Sequence, residues 1–292
     1  MDIGSGKVTR DKIKKRHIHD DRHLCDVQEI LVKEAQWKKN TYFSEGIAHH
    51  LLDVASPKRA YNVTHFVRDA KRAIADIKKR GKTPIICGSA GFWIQALLED
   101  QSFPAVKPDA ALRKKLSLKS AAELFEMLMK KDPIRADSID RHNKARLIRA
   151  LEICQALGKV PTPHQSSPIN QQEFCIIALV PKRETLHTRI EKRLTDRLEN
   201  GMLEEVMRLH KTEGVSWQRL EGFGLEYRSS AQFLQKKISY AAREAGLLQD
   251  IKRYAKRQIT WLRRFEKMGA HIHWTKDPRE ALKIVEKNTA NS

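Results

Sequence analysis

Thr83 to Leu98 reads TPIICGSAGFWIQALL, and the fold turns on how this stretch is divided. Thr83–Cys87 is a short apolar run suited to a buried strand. Gly88-Ser89-Ala90-Gly91 is a glycine turn, and Phe92 to Leu98 is apolar enough to leave it directly as a helix. Upstream, Asn62 to Arg80 carries Val63, Phe66, Val67, Ala70, Ile74 and Ile77 at helical spacing, and Gly81 stops it. Helix, strand, glycine turn and helix in that order predict an α/β sheet protein rather than a helical bundle.

Working outward, the pattern changes at Pro104. From there to about Pro168 the chain reads as short helices with Lys- and Arg-rich faces and no strand. Phe174 to Val180 (FCIIALV) is a second candidate for a buried strand, so the sheet resumes there. The region between is therefore placed as a helical insertion at 104–168, within a core formed by 1–103 and 169–292. Long helices are expected at Leu186–His210 and Tyr240–Lys267, and HIHW at His271–Trp274 as a last short strand. At the other end, residues 9–48 are heavily charged and look helical.

Composition narrows the class. Lys and Arg number 56 against 36 acids, a formal charge of +20, which points to a polyanion such as RNA or DNA. The plainer alternative is a soluble basic surface, so the placement of the charges must decide. No apolar run is long enough to span a bilayer and no signal-peptide core opens the chain, so a cytoplasmic protein is expected. Cys25, Cys87, Cys154 and Cys175 are far apart and form no C-x-x-C pair.

Two segments imitate a phosphate loop and fail. Gly4-Ser5-Gly6-Lys7 is followed by Val8 where a hydroxyl is needed, and Gly81-Lys82-Thr83 lies before a strand instead of after one. His17, His19 and His23, with Asp20 and Asp21 nearby, could hold a metal, but a solvated helix face is the plainer account and no metal ligands are assigned. Asp132, Asp137 and Asp140 read as caps and surface charges.

Charge placement is clearest around Lys256-Arg257-Gln258-Ile259-Thr260-Trp261. On a helix, Leu247, Leu248, Ile251, Tyr254, Ala255, Ile259, Leu262 and Phe265 cluster on one face. Lys252, Arg253, Lys256, Arg257, Arg263, Arg264 and Lys267 share an arc of roughly 140° on the other. No carboxylate interrupts them before Glu266, an arrangement suited to a row of phosphates. Arg189, Arg193 and Arg197 form a second row at i, i+4, i+8; an anionic ligand such as diphosphate would offset their mutual repulsion.

Taken in order, several segments resemble the tRNA dimethylallyltransferase family. Asp2-Ile3-Gly4-Ser5-Gly6-Lys7 looks like its D-I-G-[TS]-[AG]-K segment, and His49-His50-Leu51-Leu52-Asp53-Val54 with Pro57 looks like H-H-L-[IL]-D-x-x-x-P. Pro84 to Leu98 is similar to its strand and G-G-T-G turn. Asn143, Arg146 and Arg149-Ala150-Leu151-Glu152 resemble N-D-x-x-R-x-x-R-A-[LI]-E, and Arg189 with Arg193 matches R-[IL]-x-x-R. Gly224-Leu225-Glu226-Tyr227-Arg228 and Lys256 to Trp261 resemble the last two signatures.

The resemblance implies a phosphate-loop-NTPase-like parallel sheet with an all-helical insertion. It also implies transfer of a dimethylallyl group from its diphosphate to N6 of the adenosine beside the tRNA anticodon, at position 37. By the same resemblance Arg193 and Ser89 are the catalytic candidates, with Arg193 and Arg189 on the diphosphate. Ala90, Arg113, Arg146, Arg149, Arg228, Lys256, Arg257, Gln258, Thr260, Trp261 and Arg263 face the anticodon stem-loop. Mg²⁺ is the implied cofactor, and a monomer the implied state at full length. The family's phosphate loop, first strand and D-S-x-x-[VI]-Y segment have no counterpart in this sequence. The expectation is a sheet short of a central strand, flanked by uncovered apolar faces, in a chain that folds poorly or associates. The function that competes with transfer is tRNA binding alone.

Overall fold

The computed structural model describes residues 42–44, 46–101, 103–161 and 174–290. The chain divides into two compact units, a smaller one over Leu98–Ser167 and a larger one formed by the rest. Among the described residues helices dominate both, with short strands confined to the larger unit, and the fold is α/β.

The described part of the larger unit opens on a hairpin, β1 (Tyr42–Ser44) and β2 (Ile47–His49), paired antiparallel with Tyr42 opposite His49. Gly46 supplies the positive φ of its turn. The helix expected over these last residues of 9–48 is therefore replaced by strands; residues 9–41, with His17, His19 and His23, lie outside the described residues, as do Gly4–Lys7. Helix α1 (Val63–Lys79) follows, capped by Asn62, whose side chain accepts from the His65 amide at 3.1 Å while His65 Nδ1 accepts from the Asn62 amide. Val67 and Ala70 form its buried stripe. The glycine turn leads into α2 (Gly91–Leu98), as the sequence predicted.

The strand predicted at Thr83–Cys87 does not form. Residues 82–90 run without ladder partners, and Ile85 is 81% exposed. Ladder hydrogen bonds need a neighbour, and among the described residues no strand lies beside this segment. The second predicted strand is present as β3 (Ile176–Leu179). It pairs in parallel with β4 (Ile272–Thr275), Ile176 opposite Ile272, and the Val180 amide extends the ladder to the Thr275 carbonyl at 2.8 Å.

Between these strands come α7 (Arg183–Glu199), α8 (Met202–Lys211), α9 (Trp217–Gly222), α10 (Leu225–Leu234) and α11 (Tyr240–Lys267); α12 (Pro278–Ala290) follows β4. The single helix predicted over Leu186–His210 is broken at Asn200–Gly201, where Gly201 adopts φ +91°. Ile190 and Leu194 of α7 pack with Leu247 and Ile251 of α11, while Met202, Val206, Leu209, Leu220, Tyr227 and Ala231 form a second core across α8–α10.

The smaller unit contains α3 (Ala110–Ser117), α4 (Ala121–Lys131), α5 (Pro133–Ser138) and α6 (Lys144–Leu157). Its helices are capped by Asp109, Ser120 with Glu123, Asp132 and Asn143, and its core is Leu116, Leu124, Leu128, Leu147 and Leu151. Asp132 is buried, its two oxygens accepting from the amides of Arg135 and Val160, so it is a cap but not a surface charge. Among the described residues no helix is long and apolar enough to cross a membrane.

Candidate functional site

The basic helix forms over the span its periodicity indicated. Ser239 caps α11 by accepting from the Ala242 amide, and Leu247, Ile251 and Phe265 are buried on the apolar face. The opposite face is less uniform than the sequence suggests. Lys252 is bound to Glu191 of α7 at 2.6 Å, and Arg253 reaches Asp250 at 3.4 Å. Glu191 is brought in from another helix, which no local reading could reveal. Lys256, Arg257 and Arg263 are exposed and make no ion pair among the described residues, although Arg257 lies over the Tyr254 ring at 5.8 Å. Gln258 and Trp261 are half-buried at the edge, and the Thr260 hydroxyl donates to its own helix at the Lys256 carbonyl, 3.1 Å away.

Trp261 ties this helix to the glycine turn. Its ring stacks on Phe265 at 4.9 Å and lies so close to Gly91 that a β-carbon there would stand 2.1 Å from Trp261 Cδ2. Only a residue without a side chain permits this approach. Ser89 and Ala90 are thereby carried to the edge of α11, both exposed. The Ser89 carbonyl accepts from the Gly91 amide and the Ala90 carbonyl from those of Trp93 and Ile94, while the Ser89 hydroxyl has no partner among the described residues. Behind the turn, Trp93 meets Phe66 and Tyr61 at 5.3 and 6.0 Å. Burial, with the Asp69 carboxylate 3.2 Å away, pushes the Tyr61 phenol up to about 12.

The arginine row on α7 separates into two kinds. Arg197 is bound to Glu226 of α10, a carboxylate that is itself buried. Arg189 and Arg193 make no ion pair among the described residues. Arg193 is open to solvent on one side yet crowded by protein atoms on the other. That desolvation, with repulsion from Arg197, pulls its pKa below the usual guanidinium range, and Glu226 offsets only part of the effect. Such a cation is under-compensated, and an arriving anion would supply what it lacks. On α10, Arg228 is exposed, its Nε donating to the Glu221 carbonyl at 3.2 Å.

In the smaller unit two of the three predicted arginines converge on one carboxylate. Arg113 donates from Nε and Nη2 to the two oxygens of Glu152 at 2.9 and 2.8 Å, Arg149 binds the same group, and the Asp109 amide adds a bond at 2.6 Å. Burial alone would raise the Glu152 pKa, but these hydrogen bonds bring it down to about 2. Arg149 Nη2 also donates to the Val106 carbonyl at 2.9 Å. Arg113 and Arg149 thus have structural work, whereas the Arg146 side chain is exposed and unpaired among the described residues. The sequence reading missed Glu152 and Glu226 as organising carboxylates. It also missed Arg219 of α9, whose guanidinium donates to the carbonyls of Pro57 and Arg59 at 2.9 and 2.7 Å. Among the described residues no group of three or more His, Cys, Asp or Glu side chains is placed to hold a metal ion.

Residues 35–265 match the sequence pattern of a family described as IPP transferase. A protein named tRNA dimethylallyltransferase 2 from Treponema denticola is 39% identical, the alignment covering 78% of this chain and 77% of that protein. The tRNA dimethylallyltransferase of Anoxybacillus flavithermus is 36% identical over 75% of this chain and 71% of its own. Among solved structures, the tRNA isopentenylpyrophosphate transferase of Bacillus halodurans superposes with a TM-score of 0.55 at 27% identity, covering 84% of this chain and 77% of that one. A eukaryotic dimethylallyltransferase acting on tRNA superposes with a TM-score of 0.65 over 85% of this chain and 67% of its own; at 21% identity it speaks to the fold alone.

Proposed function

Because the chain belongs to the IPP transferase family, we propose that it transfers a dimethylallyl group from dimethylallyl diphosphate to N6 of the adenosine next to the tRNA anticodon, at position 37. The observation that carries this reading is the pair Arg189 and Arg193, one turn apart and without an ion pair among the described residues, on a helix joined to the basic face of α11 through Glu191 and Lys252. In the reaction N6 attacks C1 of the allyl group, the C1–oxygen bond breaks, and the diphosphate leaves with the bonding pair. The amine then gives up a proton to solvent water. Arg193 and Arg189 stabilise the charge that develops on the leaving oxygens, where fixed cations lower the barrier most. Ser89 offers its unpartnered hydroxyl beside the adenine, with Ala90 and Trp261 against the base. Lys256, Arg257, Arg263 and Arg228 hold phosphates of the anticodon arm, with Gln258 and Thr260 at its edge, and Arg146, Arg113 and Arg149 present the smaller unit to the RNA.

The fold that suits this chemistry is a phosphate-loop-NTPase-like core carrying a helical insertion. Mg²⁺ stays the cofactor expected by resemblance, and it would be held largely by the diphosphate's own oxygens, whose charge it would help to balance. A second reading, tRNA binding without transfer, is favoured by the unpaired segment at residues 82–90, where a sheet strand is wanted. Labelled dimethylallyl diphosphate incubated with an anticodon stem-loop and Mg²⁺ separates the two. Incorporation that is lost with Arg193→Ala, while tRNA binding persists, supports transfer. Binding with no incorporation by the unaltered chain leaves the second reading.

A further inference from the structure

Ser56 to Arg59 form a tight turn before α1. The Arg59 amide donates to the Ser56 carbonyl at 2.9 Å, the Lys58 amide approaches Ser56 Oγ at 3.3 Å, and Pro57 stands at the second position, where its fixed φ is suited. The turn is held from a distance: the Arg219 fork grips the carbonyls of Pro57 and Arg59, across some 160 residues of sequence. Arg219 is in turn steadied over the Phe223 ring at 4.8 Å. The Lys58 ammonium lies beside Gly214, 3.3 Å from where a β-carbon there would stand.

This bracing presents two cations. Lys58 and Arg59 are exposed and make no ion pair among the described residues. The carboxylates of the same neighbourhood are already engaged, Glu221 by Lys237 and Gln235, and Glu213 by Arg208. Arg219 spends two of its donors on backbone carbonyls. Two residues after Arg219, the Glu221 carbonyl accepts from Arg228, a cation proposed above to hold RNA phosphates.

We infer that the Ser56–Arg59 turn is a further RNA-phosphate contact of this protein, with Lys58 and Arg59 as its cations and Arg219 as the residue that positions it. The inference rests on the proposed tRNA substrate. Two unpaired cations fixed on a braced turn suit a regular row of phosphates. Neutralised carboxylates around them leave no internal partner to hold them back.

The test is binding of an unmodified tRNA transcript to the full chain across a salt series. For Lys58→Gln with Arg59→Gln, the slope of log K against log salt should become shallower by about 1 to 2, with affinity falling several-fold at low salt. Lys283→Gln with Lys287→Gln, the same charge change on α12, should leave the slope unaltered. Arg219→Ala should flatten the slope although both cations remain, and Arg219→Lys, able to keep one carbonyl bond, should recover part of it. An unchanged slope in the Lys58/Arg59 variant overturns the inference, as does an equal loss in the α12 variant. A full slope in Arg219→Ala overturns its positioning role. If Arg257→Gln weakens tRNA binding while the turn variant does not, this inference alone falls; if the unaltered chain ignores tRNA, the proposed substrate falls with it.

Discussion

Gly91 shows how much of the site depends on one missing side chain. A methyl group there would stand 2.1 Å from Trp261 Cδ2, inside any tolerable contact, and the indole is held on its other side by Phe265. Gly91→Ala should therefore destabilise the protein by about 1–3 kcal/mol, the usual cost of overpacking. It should also displace Trp261 from the edge of the basic helix. Denaturant midpoint and tryptophan emission measure both effects, and a variant with both unchanged would show that Gly91 does not hold Trp261 in place. The glycine was legible in the sequence as part of a turn. Its partner was not, because nothing local in GSAG indicates an indole 170 residues away. The same limit hid Arg219, whose acceptors are backbone carbonyls that carry no residue signature.

At the scale of elements, helices were legible where one face repeats. α1 and α11 came out close to their predicted bounds because buried Val67 and Ala70, or Leu247 and Ile251, recur at helical spacing. The break between α7 and α8 was visible in retrospect as Asn200-Gly201 inside a long helical pattern. Residues 83–87 have strand composition without a strand, since pairing is a property of two segments and composition belongs to one. Charged faces were half legible: the positions of the α11 cations followed from periodicity, but the partner of Lys252 lay on α7. That division makes a prediction for the element. Lys252→Gln removes a charge already occupied by Glu191 and should leave the salt dependence of tRNA binding unchanged, whereas Lys256→Gln should make the slope shallower by about 1. Equal effects, seen in filter or fluorescence titrations, would show that the ion pair does not set aside Lys252.

For the molecule as a whole, two units with separate cores should give two heat-absorption transitions in calorimetry of the full chain. Glu152 identifies one of them. Its pKa is lower in the folded chain than in the unfolded one, so its stabilisation is complete above the ordinary glutamate range and is lost as pH falls from there towards 2. Glu152→Gln should lower only the smaller unit's transition, by about 1–3 kcal/mol at neutral pH, and should blunt its decline in acid. Movement of both transitions together would mean that the units melt as one. The parallel pair of β3 and β4 has a different consequence, one of timing. Ile176 finds Ile272 only after every residue of α7 to α11 has been made. During synthesis on the ribosome, β3 therefore waits with its edge open while helices assemble behind it, and closure of that sheet comes among the last events of the nascent chain's folding. A stalled or shortened message ending before codon 272 would release a chain whose helices are formed and whose β3 has no strand to meet.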